Sequence, residues 1–133
     1  MSAKLISFPQ HADRNGVLCV YESGEHVPFQ IERIFTVSAA AGDVRGKHAH
    51  KACSQLLVCL SGRIQVACDD GKAITHHMLE GMNCGLLVPP GVWASEEYLT
   101  EGAVMMVLCD RKYEKQDYIR DYDEFRVFAG ATK

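Results

Sequence analysis

Short apolar stretches dominate the chain, most of them alternating with polar residues at period two and separated by Gly, Pro, Asn and Asp. Period two places successive side chains on opposite faces of an extended strand. Residues 5–20 read as two short strands around Asp13-Arg14-Asn15-Gly16, where Asn-Gly is a strong hairpin signal. A loop over 22–28 follows. In residues 29–37, Phe29, Ile31, Phe35 and Val37 share one parity, with Arg33 among them. A cation on an apolar face calls for a partner or a ligand, unless it snorkels to the sheet edge.

Residues 39–47 read as a glycine-containing loop that carries Arg45 and Lys47. A strand holding His48 and His50 comes next, then a buried strand over 55–60, turned by Ser61-Gly62. In 63–68, Ile64, Val66 and Cys68 point inward; Asp69-Asp70-Gly71 turns the chain into a returning strand over 72–79. His76 and His77 are adjacent, so a strand sends them to opposite faces, and they read as surface or edge residues. Strands over 86–88 and from 92 flank Pro89-Pro90-Gly91, and the unbroken apolar run 103–109 predicts a strand buried on both faces. Beyond Asp110, residues 113–125 are rich in charge and aromatics. Tyr118, Tyr122 and Phe125, spaced i, i+4, i+7, predict short helical turns packing on the strands. The whole, 1–133, reads as one all-β domain, a sandwich or jelly roll, with a short C-terminal helical segment.

Composition narrows the function classes. At 47% hydrophobic and 23% charged the chain is ordinary globular protein, and a net charge of -3 gives no field for nucleic acid or an anionic membrane. An anionic ligand would need a local cluster of Arg and Lys. No apolar run approaches the roughly 18 residues of a membrane span, and the N-terminal stretch is too short and polar for a signal peptide. The six cysteines sit mostly in apolar runs, with no C-x-x-C pair. They read as reduced core residues of a cytoplasmic protein.

One segment carries chemistry. His48 and His50, two apart on a strand, can aim both imidazoles at one point. Gly42 lies six residues before the pair and Gly62 closes the segment, with Gln55 between. This is the spacing of the first cupin motif, in which Gln55 stands where an acid is usual. The second motif is matched by Pro89-Pro90-Gly91-Val92-Trp93, but Ala94 stands where a histidine is usual. Two of four customary metal ligands are therefore absent, and an amide is a poor third ligand, so no metal is expected. Two free imidazoles on one inward face suit proton transfer, since histidine titrates near working pH. Arg45, Lys47 and Arg33 lie close enough along the chain to clamp a phosphate. The bland alternative, a pair of edge-strand histidines, does not account for the full Gly-to-Gly spacing.

The chain resembles the nucleotide-sugar 3,4-ketoisomerases of the WxcM-like/FdtA family. The resemblance rests on Arg45-Gly46-Lys47-His48-Ala49-His50, Gln55 to Gly62, Val27-Pro28-Phe29 with Arg33, Pro89-Pro90-Gly91-Val92-Trp93, and the block Asp117-Tyr118-Ile119-Arg120-Asp121-Tyr122-Asp123-Glu124-Phe125. It implies a cupin jelly roll without metal or other cofactor, forming a homodimer with exchanged N-terminal strands. It implies a dTDP-4-keto-6-deoxyhexose as substrate, a ketone moved from C4 to C3, and products feeding bacterial surface-polysaccharide sugars. By motif position, His48 and His50 are the acid/base pair. Arg45, Arg33, Arg14, Lys47, Gln55, Trp93 and Tyr98 are the expected substrate-binding residues. Two departures stand out. Family members often carry a Tyr where this chain has Phe35-Thr36, and a His at Ala94. Tyr98 and Glu97 are the open alternatives for the missing relay. Two other functions remain in view: a jelly-roll nucleotide-sugar epimerase, told apart by its products, and a non-catalytic sugar-binding cupin. A metal cupin is the further alternative that elemental analysis decides.

Overall fold

The structure is a computed structural model that describes residues 2–131. Its strands are β1 (Lys4–Ser7), β2 (Gln10–Asp13), β3 (Gly16–Cys19), β4 (Arg33–Ser38), β5 (Val44–His50), β6 (Gln55–Ser61), β7 (Ile64–Asp69), β8 (Ile74–Leu79), β9 (Cys84–Val88), β10 (Trp93–Tyr98), β11 (Val104–Cys109) and β12 (Tyr118–Ile119). A 3-10 turn, Lys115–Asp117, precedes β12, and one helix, α1 (Tyr122–Ala131), follows it. Two five-stranded sheets, β1-β9-β6-β11-β4 and β12-β5-β10-β7-β8, face each other as a jelly roll. Where two strands are expected over 5–20 there are three: β1 leaves to pair with β9, and only β2 and β3 form the hairpin around Arg14-Asn15, a separate ribbon.

Alternation decides which side chains meet between the sheets. On β6 the inward set is Gln55, Leu57 and Cys59; on β11 it is Met105, Val107 and Cys109. These pack with Ile64, Val66 and Cys68 of β7 and with Tyr98 of β10. The opposite parity of β6 and β11, Leu56, Val58 and Leu108, is buried too, because residues 21–31 fold over it and insert Tyr21, Val27, Phe29 and Ile31. That explains why these strands read as unbroken apolar runs. None of the six cysteines forms a disulfide, and five of them lie in strands. His76 is exposed on the edge strand β8, and His77 is half-buried on its other face. Among the described residues no helix is long and apolar enough to cross a membrane.

Three boundaries differ from the sequence pattern. The strand expected over 29–37 begins only at Arg33. Upstream, the Ser23 hydroxyl donates to the Phe29 carbonyl and accepts the Ile31 amide, so these backbone groups are satisfied without a ladder. The loop expected over 39–47 ends early, because β10 supplies strand partners from Val44 onward. Tyr118 lies on no helix. It sits in β12, paired with His50, and the helix starts only after Asp121, whose carboxylate accepts the Glu124 amide at 3.1 Å.

Candidate active site

A cavity of about 310 Å³ opens between the two sheets. β4 contributes Arg33, Phe35 and Val37, the inward parity of that strand, so the charge among apolar positions does face a ligand-sized space. β6 and β11 supply Gln55, Leu57, Met105 and Val107, and the C-terminal segment closes the mouth with Tyr113, Tyr118 and Arg120.

Arg45 and His48 both line this cavity although they are three residues apart. Strict alternation forbids that. The register explains it: Ala94 pairs with His48 and Ser95 with Gly46, so Lys47 has no partner on β10. Gly46 and Lys47 both adopt positive φ, 84° and 60°, forming a β-bulge that returns Arg45 to the inner face. Lys47 is the extruded residue. It is exposed and outside the cavity, which corrects its expected place beside the substrate.

The two histidines do converge, with ring centroids 5.0 Å apart and Tyr118 packed against both, at 5.1 Å from His48 and 4.4 Å from His50. They are not equivalent. His48 lines the cavity. His50 is more deeply buried, with Nδ1 2.8 Å from Asp117 Oδ2. Asp117 is itself fixed, because its Oδ1 accepts the Ala52 amide at 2.7 Å. The carboxyl is held below its ordinary range by its hydrogen bonds to His50 and the Ala52 amide, against the opposing effect of burial. His50 is likewise held below 6.5, chiefly by burial, despite Asp117. Together these directions describe a carboxylate accepting Nδ1–H of a neutral imidazole. Nε2 then carries the lone pair, and it is buried with no hydrogen-bond partner. His48 is pushed down to about 4 by burial, then by His50 and Arg120, so it too is neutral near pH 7.

Cations gather at the rim. The Arg33 guanidinium lies 4.6 Å from the Phe35 ring centre and 5.1 Å from that of Tyr113, and Nη1 donates to the Tyr118 hydroxyl at 3.4 Å. Arg120 stacks on the other aromatic surface, 4.3 Å from the Tyr118 ring centre. With Arg45 these make a three-guanidinium frame suited to a diphosphate.

Gln55 and Tyr98 line the cavity as expected. The Gln55 amide lies against Cys109 Sγ at 3.5 Å, and the Tyr98 hydroxyl is buried without a partner. Trp93 does not reach the cavity. It has the opposite parity to Ala94, Glu96 and Tyr98 and packs outside the sheet against Tyr122 and Phe125, at 5.3 and 5.7 Å. Arg14 caps the β2–β3 turn, exposed and outside its own chain's cavity. Glu97 is exposed on the outer face, whereas Glu96 is the acid that points inward.

Five cavity or support residues escaped the sequence pattern: Glu96, Tyr113, Asp117, Tyr118 and Arg120. The signal for three of them was the Asp117-Tyr118-Ile119-Arg120 stretch. There Tyr118 and Arg120 take one side and buried Ile119 the other, but two strand residues are too few to show a period.

The family model described as "FdtA: WxcM-like, C-terminal" matches residues 1–130. The TDP-4-oxo-6-deoxy-alpha-D-glucose-3,4-oxoisomerase of Aneurinibacillus thermoaerophilus is 39% identical over 129 residues, covering 96% of this chain and 93% of that protein. A crystal structure of a histidine-to-asparagine mutant of the 3,4-ketoisomerase QdtA from Thermoanaerobacterium thermosaccharolyticum, in complex with TDP-4-keto-6-deoxyglucose, superposes with a TM-score of 0.94. It is 31% identical and covers 98% of this chain and 95% of its own. A 3,4-ketoisomerase from Helicobacter canadensis gives 0.93 at 31% identity, covering 98% of both chains. On the matched length, the identity and the shared architecture, this chain belongs to the FdtA family of WxcM-like proteins.

Proposed function

We infer that the protein is a nucleotide-sugar 3,4-ketoisomerase acting on TDP-4-keto-6-deoxyglucose. The observation that carries the reading is the Asp117–His50 pair: the His50 Nε2 is buried and unpartnered, and its ring centre lies 5.0 Å from that of His48, which lines a cationic cavity. The C3 hydrogen of such a sugar is α to the C4 ketone. His50 Nε2 removes it, and Asp117 stabilises the imidazolium that results, as the carboxylate does in a Ser-His-Asp triad. The electron pair passes into an enediol. A proton returns at C4 and the C3 oxygen becomes the ketone. Neutral His48 donates a hydrogen bond to the oxyanion, a role suited to its low pKa. Arg33, Arg45 and Arg120 hold the diphosphate. Gln55 and Ala94 stand at the two positions where metal cupins carry ligands, and the proton transfer proposed here calls on no metal.

We further propose a cytoplasmic homodimer that exchanges its N-terminal strands and serves surface-polysaccharide sugar synthesis. The β2–β3 ribbon joins neither sheet in its own chain, and it exposes Val17 and Leu18. Exchange would carry Arg14 toward a partner's cavity. Light scattering of the purified protein tests the dimer.

The activity is tested by incubation with TDP-4-keto-6-deoxyglucose in deuterated water, followed by NMR of the sugar ring. Migration of the ketone to C3 with deuterium entering the ring is expected. Migration absent and no exchange at C3 would sink the reading. A change of ring stereochemistry with the ketone still at C4 would make the protein an epimerase instead.

A further inference from the structure

Moving a ketone between neighbouring carbons needs two kinds of proton transfer. One proton leaves C3 and one arrives at C4. Separately, the C4 oxygen must gain a proton and the C3 hydroxyl must lose one. His50 accounts for the carbon side, and His48 only hydrogen-bonds the oxyanion. We propose that Glu96 is the carrier for the oxygen side, a reading that rests on the ketoisomerase activity inferred above.

The geometry supports this assignment in three ways. Glu96 is the cavity-facing residue next after Ala94 on β10, and Ala94 is the strand partner of His48. Same-face neighbours along a strand are about 7 Å apart, so a hexose seated over His48 reaches the Glu96 carboxyl. Space for that carboxyl is made by the bulge: a Cβ on Gly46 would overlap Glu96 Oε2. Finally, Glu96 is only 7% exposed and lines the cavity, and the adjacent Tyr98 hydroxyl is buried without a partner. A carboxylate so shielded from water is costly unless it is neutral or a ligand partners it. Facing it are Arg45 and His48 from β5, Cys68 from β7 and Tyr98 on its own strand. Burial outweighs the opposing charge of Arg45 and raises the carboxyl to about 7, so a protonated form is available at neutral pH.

The steps balance. In the first half the C3–H bond breaks and a histidine takes the proton. The electron pair forms the C3–C4 double bond, and the carboxyl proton of Glu96 goes to the C4 oxygen. In the second half the Glu96 carboxylate takes the C3 hydroxyl proton and C3 becomes the carbonyl. The double-bond electrons then accept the proton from the imidazolium at C4. Glu96 ends protonated and the histidine neutral.

Glu96→Gln separates the two halves. The amide still donates to the C4 oxygen but cannot accept the hydroxyl proton. With TDP-4-keto-6-deoxyglucose in deuterated water, the variant should bind TDP as the wild type does and keep exchanging C3. Ketone migration should fall about 100-fold. Exchange and migration falling by the same factor, or neither falling, would overturn the assignment. If the variant does not bind TDP, wild-type pH profiles decide: migration lost above about pH 7 with exchange retained supports Glu96, and parallel profiles refute it. A wild type that neither exchanges nor migrates defeats the ketoisomerase reading itself, and that result is distinct because it appears before any variant is made.

Discussion

Asp117 holds His50 through one oxygen and the Ala52 amide through the other, at 2.8 and 2.7 Å, so a single carboxylate ties a ring to the backbone of the turn that follows it. Because Asp117 does not line the cavity, its work is positioning and charge rather than substrate contact. Asp117→Asn should lower kcat by about 100-fold or more while leaving TDP affinity unchanged. Stopped assays with a calorimetric TDP titration check both halves. A KM effect without a kcat effect would speak against the pairing.

Acid should weaken the fold through the neighbouring histidine. His48 has a folded-state pKa pushed down to about 4, against an ordinary 6.5. Between those values the unfolded chain binds the proton and the native state does not. This stabilising contribution is present above pH 6.5 and is lost as pH falls toward about 4. His48→Asn should flatten that part of the curve, read as Tm against pH from 7 to 4. An unchanged slope would show that His48 is not the group responsible.

Glu96 has the opposite sign. Its pKa is raised to about 7 from 4.5, so the native state keeps a proton that the unfolded chain has released, and stability falls as pH rises through that window. Glu96→Gln should therefore be more stable than the wild type at pH 8, by about 1–3 kcal/mol, with the gap closing toward pH 5. Urea titrations at the two pH values measure it.

Gly46→Ala challenges the bulge. It puts a side chain at φ 84° and into the space of the Glu96 carboxylate. A loss of about 1–3 kcal/mol is expected, together with weaker TDP binding, since Arg45 depends on the bulge to face inward. Denaturant melts and TDP titration test this. Retained stability would mean the strand relaxes without it.

Trp93 and Arg33 should separate cleanly. Trp93→Ala removes the anvil for Tyr122 and Phe125 and should cost about 3–5 kcal/mol with little change in KM of the folded enzyme. Arg33→Ala leaves the core alone and should raise KM instead. Equal KM effects would place Trp93 in the site after all.

Much of this architecture was legible in period-two patterning, because β4 and β10 turn one parity to the cavity and the two histidines share one parity of β5. Arg33 was legible for the same reason: a cation on an apolar parity has to be accounted for. The pattern failed where the chain departs from regular geometry. A one-residue bulge at Gly46-Lys47 exchanges the facing of everything upstream and so turns Arg45 inward, whereas Lys47, adjacent to inward His48, points out and is no clamp residue. Trp93 was misplaced by motif position, although its odd parity against Ala94 pointed outward. Tyr118 fitted a helical spacing by coincidence with Tyr122 and Phe125. Its true partner, His50, lies 68 positions earlier in the chain, beyond the reach of any local pattern.

Asp117 and Tyr118 arrive late. A nascent polypeptide has every other strand of both sheets in hand by Cys109, and only the two-residue β12 is still to come. Every other strand is thus made before the proton acceptor can be tuned. A polypeptide clipped ahead of Asp117 would lack the carboxylate that orients His50 and the ring that packs on both histidines, so activity itself reports that the closing segment has docked.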